Sequence, residues 1–193
     1  GAGAVIGTQY VADSKPDGYT LCTGSNSYTL APLTQPDIKY DPIKSFVHII
    51  HLTDTPLALV VHPGVPAASV KEFVAYSHAN KGKVNIASAG NGTYTHLTIE
   101  LFKLLTGADV THIPYKGAAP AMNDVLTRQI HGIITSTASV QPYTASGRLK
   151  ALAVTAPKRS AAMPDVPTFG ESGIQNLNVS VWVGISAPGP LPA

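Results

Sequence analysis

The chain of 193 residues is 44% apolar and 12% charged, which supplies enough apolar material for a packed core and argues against disorder. Its net charge is only +2 and its 13 lysines and arginines are scattered, so it lacks the concentrated basic face of a nucleic-acid-binding protein. No apolar run reaches the roughly 18 residues needed to cross a membrane.

The chain begins with a predicted helix over residues 3–14, followed by a turn and a strand over residues 19–23. The small polar segment at residues 24–27 comes directly after this strand. It is either a ligand-binding loop, with Ser25 and Asn26 as its candidate contacts, or an ordinary turn.

Two more strands are predicted at residues 46–52 and 57–62. A helix-capping motif at residues 69–72 then starts a new helix, so the pattern restarts after residue 62. The sequence therefore predicts two lobes, a partial first lobe of residues 1–61 and 185–193 and a second lobe of residues 62–184.

The most informative stretch runs from residue 84 to residue 107 and predicts a strand, a glycine turn and a helix. Gly90 and Gly92 can adopt backbone angles that other residues resist, and leucines recur at helical spacing after the turn. Such a turn directs backbone N–H groups, and the positive end of a helix dipole, toward one point. The arrangement favours binding of an anion; the alternative is a plain strand-to-helix turn.

The rest of the chain alternates between strands and helices, with strands at residues 110–114, 132–135, 149–155 and 178–185. This alternation predicts an α/β fold with mainly parallel sheets flanked by helices. Ligands of such sheets bind at the carboxyl ends of the strands. The small polar residues at those ends favour a small anionic ligand held without covalent chemistry. The candidate contacts are Ser25, Asn26, Ser88, Ala89, Gly90, Asn91, Gly92, Thr93, Thr95, His96, Lys116, Thr135 and Ser136.

Other functions receive less support. A dinucleotide-binding turn would need a third glycine where Thr95 stands, and the Gly-x-Ser-x-Gly motif of many hydrolases is absent. His96 and Glu100 lie four residues apart on one helical face, so an α/β enzyme could use them as metal ligands or as a base and its orienting partner. The simpler interpretation is that His96 donates a hydrogen bond to a loop carbonyl or to the ligand. Lys116 either pairs with an acidic ligand or is a solvated surface charge.

Motifs along the whole chain carry a family resemblance. They are PDGYTL at residues 16–21, YDP at 40–42, VVHP at 60–63, ASAGNGT at 87–93, PYKG at 114–117, GRLKALAVT at 147–155 and PDVPT at 164–168. In this order they resemble the extracytoplasmic solute receptors of tripartite tricarboxylate transporters, the Bug proteins.

The resemblance implies a periplasmic, two-lobed binding protein of type II-like fold that captures a small mono- or dicarboxylate for membrane transporter subunits. It implies a monomer without catalysis, cofactor, metal or nucleic-acid partner. In such receptors one loop from each lobe holds a ligand carboxylate, and the second-lobe loop corresponds here to residues 88–95. The first-lobe loop and the family's C-terminal helices are expected outside this sequence. Thr135 and Ser136 stand where many relatives carry an acidic residue, and their hydroxyls would better tolerate a second ligand carboxylate.

Overall fold

The computed structural model describes residues 5–189. Its helices are α1 Val5–Ala12, α2 Asn26–Thr34, α3 Val70–Ala79, α4 Tyr94–Thr106, α5 Ala118–Leu126 and α6 Thr137–Ala145. Its strands are β1 Cys22–Ser25, β2 Phe46–Val61, β3 Asn85–Ser88, β4 Thr111–Pro114, β5 Gly132–Ser136, β6 Lys150–Val154 and β7 Ser180–Pro188. None of the helices within this range is long and apolar enough to cross a membrane.

By its internal contacts the chain divides into two compact units. The first contains the residues up to Asp54, Gly92–Tyr94 and the residues from Val181 onward, and the second contains Thr55–Asn91 and Thr95–Ser180. The lobe boundaries after residues 61 and 184 remain a prediction.

The second unit is built on a mixed sheet. β3 pairs in parallel with β4 and β5, whereas the second half of β2 pairs antiparallel with β5 and β6. The α/β class is therefore confirmed, but the expectation of mainly parallel sheets was wrong. An alternating strand and helix pattern reports connectivity and not strand direction. β2 and β3 run in opposite directions although α3 lies between them in the chain.

The core of the second unit forms around the end of β2. Residues 57–61 are fully buried, and Ala58 and Val60 pack with Ile133 of β5 and with Ala121 and Val125 of α5. α5 buries Ala121, Met122 and Val125, which recur at helical spacing and therefore share one face. Burial of this kind supplies most of the free energy that holds such a sheet to its helices.

The first unit contains an aromatic cluster. β1 pairs antiparallel with β7, and the ring of Tyr28 lies 4.9 Å from Phe46 and 5.9 Å from Tyr40 between centroids. The sequence predicts a loop at residues 24–27, but Ser25 ends β1 and Asn26 starts α2. Serine and asparagine favour turns in isolation, and burial of Tyr28 on α2 outweighs that preference.

The two strands predicted at residues 46–52 and 57–62 form one strand, β2. The polar residues between them interrupt the apolar pattern without ending the strand. The chain passes from the first unit to the second inside this strand, after Asp54.

Candidate functional site

Three loops meet at one edge of the sheet in the second unit. Because β3 is parallel to both β4 and β5, the carboxyl ends of these strands lie at the same edge. α4, α5 and α6 begin within a few residues of the ends of β3, β4 and β5 respectively. Their N-terminal turns, which carry backbone N–H groups without helical partners and a partial positive charge, are therefore gathered at that edge.

The loop between β3 and α4 is shaped by two buried hydroxyls. Ala89 N–H donates to Thr95 Oγ1 at 3.1 Å, and Gly90 N–H donates to Ser88 Oγ at 3.1 Å. Ser88 is 0% and Thr95 1% exposed. Gly90 and Gly92 have φ values of 140° and 71°, which confirms that this turn uses backbone angles that favour glycine.

The loop after β4 lies against the loop after β3. Tyr115 N–H donates to Ser88 O at 3.1 Å, and Gly117 N–H donates to Ala89 O at 3.0 Å. Lys116 stands between these two hydrogen bonds, and it is exposed. The structure therefore brings Lys116 together with residues 88–90, as expected if strand ends build the site.

The end of β5 adds two hydroxyl residues to the same edge. Thr135 is buried, and Ser136 is the half-buried residue that precedes α6. The side chain of Ser136 makes no capping bond to α6 and lies 3.5 Å from the hydroxyl of Ser139.

Four of the remaining candidates belong to the first unit, whereas Asn91 belongs to the second. Gly92 and Thr93 are grouped with the first unit by their contacts, as are Ser25 and Asn26. Asn26 Oδ1 accepts a hydrogen bond of 3.0 Å from Trp182 N–H, so its side-chain oxygen holds α2 to β7. Thr93 is largely buried, whereas Asn91 at the tip of the turn is exposed.

The structure adds His112, which sequence reasoning missed. Its ring stacks on that of His96 with 4.0 Å between centroids, and its Nε2 lies 2.6 Å from Ser88 Oγ. Burial, followed by the charge of His96, lowers the pKa of His112 to about 4. No sequence motif joins these histidines, but residues 85–114 form a strand–helix–strand unit, and its topology places a β4 residue beside α4.

Comparisons with known proteins identify the family to which this chain belongs. The sequence model described as "Tripartite tricarboxylate transporter family receptor" matches residues 1–193. The chain belongs to this receptor family. The resemblance seen in the sequence motifs is thereby confirmed.

Three individual proteins are similar to this chain along nearly its whole length. Protein BugT of Bordetella pertussis is 38% identical over 190 residues, covering 97% of this chain and 58% of BugT. The solved structure of the periplasmic binding protein BugD is 36% identical with a TM-score of 0.91, covering 100% of this chain and 64% of BugD. The structure of R. palustris Rpa4515 with adipate is 30% identical with a TM-score of 0.94, covering 100% of this chain and 65% of that protein. The chain thus spans less than two thirds of the length of these relatives.

Proposed function

We propose that the full-length protein is a periplasmic receptor that captures a small mono- or dicarboxylate and delivers it to a tripartite tricarboxylate-type membrane transporter. The observation that carries the proposal is the edge at which three helix N-termini and three small polar loops meet. Membership of the receptor family and the adipate-bound relative support the same ligand class.

The electrostatics of this edge favour an anion. The loops at residues 88–95, 115–117 and 135–139 contain one lysine and no aspartate or glutamate. A carboxylate approaching them meets backbone N–H donors, hydroxyls and helix dipoles without a like charge in the loops. An isolated carboxylate loses much of its hydration on binding, and charge-assisted hydrogen bonds of this kind offset that loss.

The candidate residues fall into two roles in this proposal. Ser88 and Thr95 hold the turn, because their hydroxyls already accept hydrogen bonds from the turn's own backbone. Ala89 and Gly90 belong to the turn so held, and the backbone of residues 91–93, together with the side chain of Thr93, forms one contact for the carboxylate. A second carboxylate would meet Thr135 and Ser136, with Lys116 and His96 beside the first. Ser25 and Asn26 are candidate contacts of the first lobe.

The proposal includes the lobes predicted from the sequence, residues 1–61 with 185–193 and residues 62–184. The protein binds and releases its ligand without catalysis, needs no cofactor to do so and is a monomer. Because the carboxylate is released unchanged, it can pass to the transporter.

Calorimetric titration of the full-length protein tests this function. We expect saturable binding of one equivalent of at least one acid from a panel of adipate, malate, succinate and acetate. Adipamide, which matches adipate in length but is uncharged, is the control and should not bind. Absence of binding across the panel, or binding of adipamide as tight as that of the preferred acid, would overturn the proposal.

A further inference from the structure

A cluster of two imidazoles and one carboxylate lies beside the loop that follows β3. Within residues 5–189, His96, Glu100 and His112 each offer one ligand atom, and the three atoms lie within 4.8 Å of one another. His96 Nε2 is 4.0 Å from Glu100 Oε1. Two imidazole nitrogens and a carboxylate oxygen are a donor set that zinc accepts, commonly with water in a fourth position.

Sequence spacing and topology together produce this cluster. His96 and Glu100 are four residues apart on α4 and therefore share a face, while His112 lies on β4. The hydrogen bond between His112 Nε2 and Ser88 Oγ fixes the orientation of the His112 ring. Histidine ligands of metals commonly have such a second partner.

Coordination requires one local rearrangement. The His96 and His112 rings are stacked with an angle of 20° between their planes, so their in-plane lone pairs do not converge on one point. The His96 ring, whose side chain is 25% exposed, must therefore rotate while the bond to Ser88 holds His112. Metal binding is therefore expected to separate the stacked rings.

The positive charge of Lys103 disfavours binding of a metal ion at this position. Its Nζ lies 3.1 and 2.9 Å from the two carboxylate oxygens of Glu100. A metal ion at Glu100 must share that carboxylate with the ammonium group, and the two positive charges repel. Removal of the Lys103 charge should consequently strengthen metal binding, whereas loss of either imidazole should weaken it.

We propose that His96, Glu100 and His112 form a binding site for one divalent transition-metal ion of the zinc type. Imidazole nitrogen favours zinc, copper and nickel over magnesium and calcium, which take oxygen ligands. Three protein ligands leave a position for water or an external anion. This site goes beyond the proposed function, because metal binding can be measured whether or not the protein captures a carboxylate.

Titration of the untagged, chelator-treated full-length protein with zinc chloride tests the site by calorimetry. We expect uptake of one equivalent of zinc at this cluster and no binding of magnesium chloride at the same concentration. His112→Ala and Glu100→Gln should each weaken zinc binding by about tenfold or more. Lys103→Gln should strengthen it.

Two controls separate this site from surface histidines and from unfolding. His78→Ala removes an exposed imidazole at the end of α3 and should leave zinc affinity unchanged. Glu100 has a side chain that is 42% exposed, so Glu100→Gln tests the site even if His112→Ala fails to fold. Absence of saturable zinc uptake, or unchanged affinity in Glu100→Gln with native circular dichroism, would overturn the proposal.

Discussion

The two small polar segments at the carboxyl ends of β1 and β3 look alike in sequence but differ in the number of helices that begin beside them. Residues 24–27 read GSNS and residues 88–93 read SAGNGT. β1 pairs antiparallel with β7, so one helix, α2, begins at its end. β3 lies between two parallel neighbours, so the starts of three helices are gathered at its end. Similar residues therefore acquire different electrostatic surroundings from the topology of the sheet.

The largest expected contrast is between the serines of these segments. Ser88→Ala removes a buried hydroxyl that bonds to Gly90 N–H and to His112, so it should lower the free energy of unfolding by about 1–3 kcal/mol. Ser25→Ala removes a side chain that makes no capping bond to α2 and should change it by about 0.5 kcal/mol or less. Denaturant unfolding of both variants measures the difference, and equal losses would contradict it.

The glycines should differ by a smaller amount. Gly92 has φ of 71°, and a Cβ there would lie 3.0 Å from Thr34 Oγ1, so Gly92→Ala should cost about 1–2 kcal/mol of stability. A Cβ on Gly24 would meet Trp182 and Tyr28 at 3.6 Å, an ordinary contact. Gly24→Ala should therefore be close to neutral in thermal unfolding. A larger loss in Gly24→Ala than in Gly92→Ala would reverse the expected order.

Substitution of Thr93 tests the ligand contact itself. Thr93→Ala in the full-length protein should weaken binding of the preferred carboxylate by about 1 kcal/mol or more, because a charged partner loses a hydrogen bond. Thr111→Ala makes the same chemical change at the exposed amino end of β4 and should leave affinity unchanged. Calorimetry of both variants decides the point; unchanged affinity in Thr93→Ala would remove this side chain from the site.

The smallest expected effect is on the free energy of unfolding at acidic pH. It arises at His131, which lies outside both segments. Burial, followed by the charge of Arg128, lowers the pKa of His131 below its ordinary 6.5, and His131 Nδ1 accepts a hydrogen bond from Asn85 N–H. As the pH falls, His131 is therefore protonated at a higher pH in the unfolded chain than in the folded protein. The contribution of His131 to stability is complete above about pH 6.5 and is lost as the pH falls toward the lowered folded-state value.

His131→Asn keeps an acceptor near the Nδ1 position but does not titrate in this range. We expect the free energy of unfolding of this variant to fall less than that of the natural protein between pH 7 and pH 5, a range set by the ordinary histidine pKa. Parallel pH curves for the two proteins would contradict this assignment.

The sequence predicted most of the elements around β3, because periodic leucines, glycines and caps are local signals. The capping motif at residues 69–72, for example, is present as a bond of 3.2 Å from Glu72 N–H to Ser69 Oγ. It did not predict α2, which depends on burial of Tyr28, nor the antiparallel direction of β2, which depends on the path of the chain. His112 was missed for a related reason: its partners Ser88 and His96 are distant in sequence and meet only through strand pairing.

The most direct test of the ligand site is a nuclear magnetic resonance titration of the full-length protein labelled with ¹⁵N-glycine. We expect the amide signals of Gly90, Gly92 and Gly117 to shift on addition of a carboxylate that binds in calorimetry, because these amides lie in the loops at the edge where three helices begin. Adipamide should leave them unchanged. Gly82, which precedes β3, and Gly147, which follows α6, should respond least. Saturation by a carboxylate without any shift of Gly90, Gly92 and Gly117 would contradict the proposed site.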